Sequence, residues 1–263
     1  MAIIDCFTYN GELPILKLHM SILGPYVDRF IIVEADKTFS GNKKPLYFFK
    51  QQRYFQEWWS KIDYYVMNEW DDVAIWEQAV LSPQTQGPAH WKREFYIKES
   101  IHKALQQFQV KPDDTVFIGD VDEIINPQAN YESKTPIKAK LDVYTYYLNN
   151  KSTEQFWGTL IAQYKDIQDV CLNHMRNDTT LYSKGEPLGW HFTSQGGVEE
   201  VRRKLNDSYT EESYNKQHVQ LNLPETIKQN LDFLGRPFTY TKDESNWPTF
   251  LKENRDKYKN LCK

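Results

Sequence analysis

The sequence predicts an α/β domain with a mainly parallel sheet, because short apolar runs alternate with segments of helical periodicity. Four continuous runs, at 3–7, 30–34, 63–67 and 116–119, suit strands that are covered on both faces. Apolar residues three or four positions apart at 13–23 and 91–108 predict helices between successive strands. This alternation is typical of βαβ units in a layered α/β domain, where ligands bind beyond the carboxyl ends of the strands.

The second half of the chain has a weaker pattern. One further strand is predicted at 141–148, followed by irregular polar sequence to about residue 190. Helices are predicted at 198–207, 224–233 and 247–261. The sequence contains no internal repeat and no linker that would mark a boundary, so we expect a single domain over residues 1–263.

Composition and charge exclude several classes of protein. The 32 Lys and Arg residues against 36 Asp and Glu give a net charge of -4, so there is no global positive field and nucleic acid is not an expected partner. No apolar run approaches the ~20 residues of a membrane span, and none matches the apolar core of a signal peptide. The three cysteines lack C-x-x-C spacing. These features predict a soluble, cytoplasmic protein without a membrane span.

The sharpest local signal is an acidic D-x-D at the end of an apolar run. If the segment is extended, Asp120 and Asp122 project to one side, and two carboxylates at a strand end suit Mn²⁺ or Mg²⁺. Such ions keep coordination positions open for substrate phosphates. The alternative is a turn whose carboxylates cap the next segment, since Asp is common in turns.

A second candidate is His191, which lies between aromatic residues and precedes Gly196 and Gly197. Its imidazole could complete the coordination of an ion that the two aspartates hold. A lone histidine is also commonly a core or surface residue, so this alternative stays open.

Several long segments of the chain resemble glycosyltransferase family 17, which includes β-1,4-N-acetylglucosaminyltransferases. They occur in the family's order and extend over roughly residues 3–215: IIDCFTYNGEL at 3–13, FIIVEADKTFSGNKKPLYF at 30–48, WKRE at 91–94, IGDVDEI at 118–124 and GWHFTSQGG at 189–197.

The resemblance implies a three-layer α/β/α catalytic domain of the Rossmann-like GT-A type. Residues 1–125 would form the nucleotide-binding half and residues 126–263 the acceptor-side half. By this resemblance Asp120, Asp122 and His191 would hold Mn²⁺ or Mg²⁺ against the diphosphate of the donor, and Glu123 would orient these ligands. The absence of an anchor ahead of the first strand suggests a cytosolic enzyme of a bacterium or a virus.

The GT-A resemblance also implies a set of residues for the nucleotide sugar. The ends of the first two strands would form the nucleoside pocket, while cationic and aromatic side chains would contact phosphate or sugar. Alternative positions stay open for some of these residues: a solvated loop for Lys44, a helix surface for Arg93, and the core for Trp157 or Trp190. The candidates are Phe7, Thr8, Glu34, Lys44, Arg93, Val121, Trp157 and Trp190.

Members of such families invert the anomeric centre, which requires a carboxylate to remove the proton of the acceptor hydroxyl. The candidates between the D-x-D and the histidine segment are Glu154, Asp166, Asp169 and Asp178, and chain order favours Asp169. The expected donor is UDP-GlcNAc, and the expected acceptor is a glycan or glycolipid.

Two other functions fit parts of the pattern. A phosphatase of the haloacid dehalogenase type also places D-x-D after a strand, but expects Thr or Val where this chain has Ile124. A non-catalytic sugar-binding module would use the 39 aromatic residues and an acidic metal site without binding a nucleotide.

Overall fold

The computed structural model describes residues 1–130, 136–209 and 215–263. Nine strands in these residues form one mixed sheet, ordered β3, β2, β1, β4, β7, β6, β8, β5, with β9 paired to β7. The strands are β1 (Ile3–Thr8), β2 (Arg29–Ala35), β3 (Ile62–Met67), β4 (Thr115–Asp120), β5 (Glu123–Ile125), β6 (Ile137–Thr145), β7 (Asn150–Gln163), β8 (Gly189–Thr193) and β9 (Tyr240–Lys242).

Helices cover both faces of this sheet. The α-helices are α1 (Leu13–Leu23), α2 (Tyr47–Gln51), α3 (Val73–Leu81), α4 (Ala89–Glu99), α5 (Ile101–Gln107), α6 (Leu172–Asn177), α7 (Val198–Ser208), α8 (Gln217–Lys228) and α9 (Thr249–Glu253). Two longer 3₁₀ segments follow α2 and α9, at Gln52–Lys61 and Arg255–Leu261. None of the described helices has the length and apolar character needed to cross a bilayer.

The four strands predicted in the first half of the chain are confirmed, and they pair in parallel. Strand β1 lies between β2 and β4, with Thr8 opposite Val33 on one side and Asp120 on the other. Strand β3 continues the parallel set beyond β2. The carboxyl ends of these strands therefore share one edge of the sheet, which is where the D-x-D lies.

The prediction of a mainly parallel sheet was too simple, because the sheet is mixed. Strand β7 lies antiparallel to β4, β6 and β9, and β5 is antiparallel to β8. Irregular structure was predicted over all of β7, which lies within the polar sequence after residue 148. Pairing on both sides overrides that composition, because strand preference depends on neighbours more than on intrinsic propensity.

The predicted helices exist, with shifted boundaries. The segment 91–108 forms two helices, α4 and α5, that divide at Ser100, and the segment 247–261 forms α9 followed by a 3₁₀ turn. Helix α8 starts seven residues before the predicted start, with Pro224 inside it rather than in its first turn. Proline is favoured in the first turn of a helix, but tertiary packing determines where Pro224 lies in α8.

Alternate residues of β1 pack into two different hydrophobic cores, one on each face of the sheet. Phe7 packs with α1 and Phe30 on one face, while Ile4 and Cys6 pack against α5 on the other. All four of these side chains are buried. Helices on both faces thus account for the continuous apolar runs that predicted these strands.

A buried polar contact ties the first strand and the first helix to the D-x-D turn. The imidazole of His19 contacts Asp5 through Nε2 at 2.5 Å and the Val121 carbonyl through Nδ1 at 2.8 Å. Nδ1 must donate, because a carbonyl oxygen only accepts, so Nε2 shares a proton with the carboxyl group of Asp5. Both side chains are buried, which makes the contact costly to break.

We expect His19→Leu to lower the free energy of unfolding by about 3–5 kcal/mol, because it leaves the carboxyl group of Asp5 buried without its partner. Urea denaturation measures this loss. The double variant Asp5→Val/His19→Leu removes both partners and should cost clearly less than the sum of the two single substitutions. Additive losses would show that the pair is not coupled.

Candidate active site

A cavity lies at the carboxyl edge that β1, β2 and β4 share. Its walls come from Thr8, Ala35 and Asp120 at the strand ends, together with loops and helices. The position agrees with the prediction that ligands bind beyond the carboxyl ends of the strands. The cavity is strongly charged: Lys37, Lys44, Lys98 and Lys204 line it together with Glu12, Glu94, Asp120 and Asp122.

Asp120 is surrounded by hydrogen-bond donors. Its carboxylate accepts from Thr8 Oγ1 at 2.6 Å, from Lys98 Nζ at 2.8 Å and from Arg176 at 3.3 Å. Burial raises the pKa of this carboxyl group, but Lys98 and Arg176 outweigh burial and hold the pKa well below its usual range. Asp120 is therefore ionised and neutralised by two cations.

Asp122 and His191 lie side by side across the β5–β8 pair. The distance from Asp122 Oδ2 is 3.5 Å both to His191 Nε2 and to Lys204 Nζ. Burial opposes ionisation of Asp122, but Lys204 and then His191 lower its pKa to about 2. The pKa of His191 is raised, since Asp122 outweighs the effect of burial. Nδ1 of His191 is buried without a hydrogen-bond partner in the described part of the chain.

The predicted metal ligands are thus only partly brought together. Val121 and Asp122 form a turn between β4 and β5, so Asp120 and Asp122 do not share the extended segment that the sequence suggested. No group of three or more His, Cys, Asp or Glu side chains is arranged to hold a metal within 1–130, 136–209 and 215–263. Asp122 and His191 supply one carboxylate and one imidazole together, and this donor pair suits a divalent cation.

Glu123 lies behind the cavity, where two glycines make room for it. A Cβ at Gly119 would approach Glu123 Oε2 to 2.8 Å, and a Cβ at Gly158 would come equally close to its carboxyl group. Thr159 donates to Oε2 at 3.0 Å, and Arg176 lies 3.9 Å from Oε1. Burial raises the pKa of Glu123. Glu123 is therefore close to Arg176, the same arginine that pairs with Asp120.

Three of the expected nucleotide-sugar residues line the cavity: Thr8, Lys44 and Val121. Glu34, by contrast, has both carboxylate oxygens occupied. It accepts from Lys44 Nζ at 2.9 Å, from the backbone N–H groups of Tyr47 and Phe48 at 2.6 and 2.9 Å, and from the Tyr64 hydroxyl at 2.8 Å. Glu34 thereby anchors the start of α2 and the loop that carries Lys44.

The other expected nucleotide-sugar residues lie outside this cavity. Phe7 and Trp190 are buried in the core beside α1, and Trp190 donates to the Asn246 carbonyl. Arg93 donates to the Phe39 carbonyl, which supports the loop around Gly41. These side chains support the walls rather than face the cavity.

The proposed base Asp169 is placed at the opposite edge of the sheet. Strand β7 ends at Gln163, which pairs with Thr115 at the start of β4, and Asp169 follows in an exposed turn. Asp166 lies in the same connection. Glu154 pairs with Arg236, and Asp178 is exposed and accepts from the backbone of Thr180. None of these four carboxylates lines the charged cavity or the groove beside it.

A second groove adjoins the charged cavity and shares Glu94 and Lys98 with it. Five aromatic side chains line this groove together with amide and charged groups, and we call it the aromatic groove. Trp157 and Tyr182 stack with ring centroids 4.5 Å apart and an interplanar angle of 3°, and Lys138 lies over the Tyr182 ring. Trp91, Phe95 and Phe156 also line the groove, with the amides of Gln84, Gln155, Asn173 and Asn177.

Three cations of the site, Lys98, Arg176 and Lys204, were not predicted from the sequence. Lys98 and Glu94 stand four residues apart in the predicted helix, and their 3.4 Å contact follows from that spacing. This signal was available in the sequence. Arg176 and Lys204 come from helices late in the chain, and no local pattern links either of them to the D-x-D.

The comparison with protein families decides the classification. The glycosyltransferase family 17 model matches residues 1–195, about three quarters of the chain, including Glu94, Asp120, Asp122 and His191. The chain belongs to glycosyltransferase family 17. This family 17 protein is therefore an enzyme that transfers a sugar from a donor to an acceptor, which rules out the phosphatase and the non-catalytic module as descriptions of it. Comparison with curated proteins gives no match.

In this glycosyltransferase, Asp120→Asn should lower the free energy of unfolding by about 1–3 kcal/mol at pH 7, because Lys98 and Arg176 lose a charged acceptor. A carboxyl group with a lowered pKa stabilises the fold above the pKa of the unfolded chain. The difference from the unmodified protein should therefore be constant from pH 7 to about 4 and shrink below about 4.

Denaturant titrations across this pH range measure the difference. Asp113→Asn is the matched control, since Asp113 pairs with Lys165 at the exposed surface and should change stability little. An Asp120→Asn variant as stable as the control at pH 7 would contradict the assignment.

Proposed function

We propose that this glycosyltransferase is of the GT-A type and transfers GlcNAc from UDP-GlcNAc to a glycan or glycolipid acceptor, with inversion and with a divalent metal ion. The observation that carries the proposal is the charged cavity at the carboxyl edge of the parallel strands, where Asp120 and Asp122 lie among four lysines.

The cationic side chains of the cavity support a diphosphate ligand. Lys98 and Lys204 are the groups that balance Asp120 and Asp122, and both line the cavity. Fixed cations stabilise the negative charge that develops on a departing nucleoside diphosphate, because they need little rearrangement during the reaction. Val33, Ala35 and Phe39 add apolar surface for a nucleoside.

A divalent ion would be held by Asp122 and His191. Their adjacent positions and the chemistry of the donor pair support this assignment, while Asp120 is engaged by Lys98, Arg176 and Thr8. Bound Mn²⁺ or Mg²⁺ would supply Lewis-acid stabilisation of the leaving diphosphate. The imidazole of His191 must be neutral to coordinate the ion. Because the pKa of His191 is raised, metal binding would release a proton from this side chain.

Inversion requires the acceptor hydroxyl to attack the anomeric carbon from the side opposite the diphosphate. The aromatic groove beside the cavity supports this arrangement, because a second substrate could approach from a separate direction. Two adjoining sites thus suit a transfer between two substrates better than a hydrolysis of one.

We expect UDP and UDP-GlcNAc to raise the melting temperature in the presence of Mn²⁺, and GDP and CMP to raise it less. A ligand at 100 times its Kd adds about 2.7 kcal/mol, which for a domain of this size is a shift of about 5–10 °C. Thermal unfolding with each nucleotide, with and without Mn²⁺, measures this.

The variant Asp122→Asn should lose the part of the shift that requires Mn²⁺, and Asp113→Asn should keep it. A UDP shift that is equal with and without Mn²⁺ would contradict the metal assignment. No shift with any nucleotide at millimolar concentration would contradict the proposed donor class.

A further inference from the structure

One carboxylate lies where the two cavities meet. Glu94 lines both the charged cavity and the aromatic groove. Its Oε1 is 3.4 Å from Lys98 Nζ, while Oε2 is buried and has no hydrogen-bond partner among the residues that the structure describes. A buried carboxylate oxygen without a donor is unusual, because leaving it unsatisfied costs free energy. A hydroxyl group of a substrate would supply the missing hydrogen bond.

Building on the glycosyl transfer proposed above, we propose that the aromatic groove binds the acceptor sugar and that Glu94 removes the proton from the attacking hydroxyl. A general base must reach that hydroxyl while the donor occupies its own site. The junction of the two cavities meets this requirement.

The other carboxylates near the D-x-D are less suited to this role. Asp120 accepts from three side chains, and Asp122 is balanced by Lys204 and His191. Glu123 is 3 % exposed and lines neither cavity, and Glu12 lines the charged cavity but not the groove. Glu94 is thus the acidic residue that faces both substrates.

The walls of the groove have the chemistry that carbohydrate requires. Trp157 stacks on Tyr182, whose ring is also covered by Lys138, so the outer face of Trp157 is the flat apolar surface on which the C–H face of a pyranose ring can pack. Gln84, Gln155 and Asn177 offer amide donors and acceptors for its hydroxyl groups. Trp157 donates its N–H to the Ser183 carbonyl at 3.1 Å, which fixes the orientation of the ring.

The acceptor oxygen forms a bond to the anomeric carbon of the donor, and the bond from that carbon to the phosphate oxygen breaks, with its electron pair leaving on the nucleoside diphosphate. The proton of the hydroxyl passes to the carboxylate of Glu94 and then to solvent. Lys98, which contacts Glu94 and Asp120, lies between the proton acceptor and the D-x-D.

The decisive experiment uses water as the acceptor and measures UDP release from UDP-GlcNAc with Mn²⁺. Glu94→Gln should lower kcat about 10²- to 10⁴-fold, the usual contribution of a general base, while the KM for UDP-GlcNAc and the UDP-induced thermal shift stay within about twofold. Glu94→Asp should recover part of the rate. Glu77→Gln, the same substitution at an exposed position of α3, is the control and should keep the full rate.

Three results would overturn the assignment of Glu94: an unchanged kcat in Glu94→Gln, a loss of rate that is matched by a loss of UDP binding, or a large loss in Asp169→Asn instead. The second would indicate that Glu94 positions Lys98 rather than accepting a proton. An unmodified protein that neither binds UDP nor releases it from UDP-GlcNAc would refute the proposed function itself.

The groove is tested separately with saturation-transfer NMR of chitobiose, cellobiose and lactose. At least one disaccharide should receive saturation in the unmodified protein, and Trp157→Ala should reduce the signal at least about threefold, whereas Trp59→Ala, the same substitution at an exposed position, should leave it unchanged. No signal from any of the three, or an equal signal in Trp157→Ala, would overturn the groove as the acceptor site.

Discussion

Three acidic residues in four positions, Asp120, Asp122 and Glu123, impose the constraint on which the site depends. Like charges this close repel one another strongly wherever water is excluded, so each requires its own compensation. The compensation comes from distant parts of the chain: Lys98 on α4, Arg176 on α6 and Lys204 on α7. The charge balance of one turn therefore fixes three helices around one edge of the sheet.

This balance also supports the diphosphate ligand that we propose for the cavity. A cavity that contained only carboxylates would repel such a ligand, and one that contained only lysines would be destabilised before the ligand arrived. Pairs such as Lys98 with Asp120 hold the cations in place in the free protein. The ligand then meets charges that are already oriented, so little of its binding energy is lost in ordering them.

The sequence predicted the parts of this architecture that have a local signal. The apolar runs of β1 to β4 and the helical spacing of α1 and α7 were sufficient, because each of these patterns is local in the sequence. Strand β7 was not predicted, because its first half is polar and is stabilised by pairing with β6 and β9. The candidate base Asp169 was chosen by its order in the chain, which does not determine its position in space. The hydrogen bonds of Glu34 likewise have no local signal: nothing in the nearby sequence shows that Tyr47, Phe48 and Tyr64 donate to its carboxylate.

The asymmetry between the two aspartates bears on the metal. Asp120 has two cations and a hydroxyl in contact, whereas Asp122 has one lysine and one imidazole, each at 3.5 Å. A divalent ion entering the turn would displace the fewest existing contacts beside Asp122, where an imidazole can exchange its proton for the metal. Binding at Asp120 would first have to separate Lys98 and Arg176 from their acceptor, which costs several contacts at once. The turn geometry that keeps the two carboxylates out of one extended segment therefore gives them different surroundings: Asp120 is held by two cations, and Asp122 is the carboxylate at which the proposed ion would displace fewer contacts.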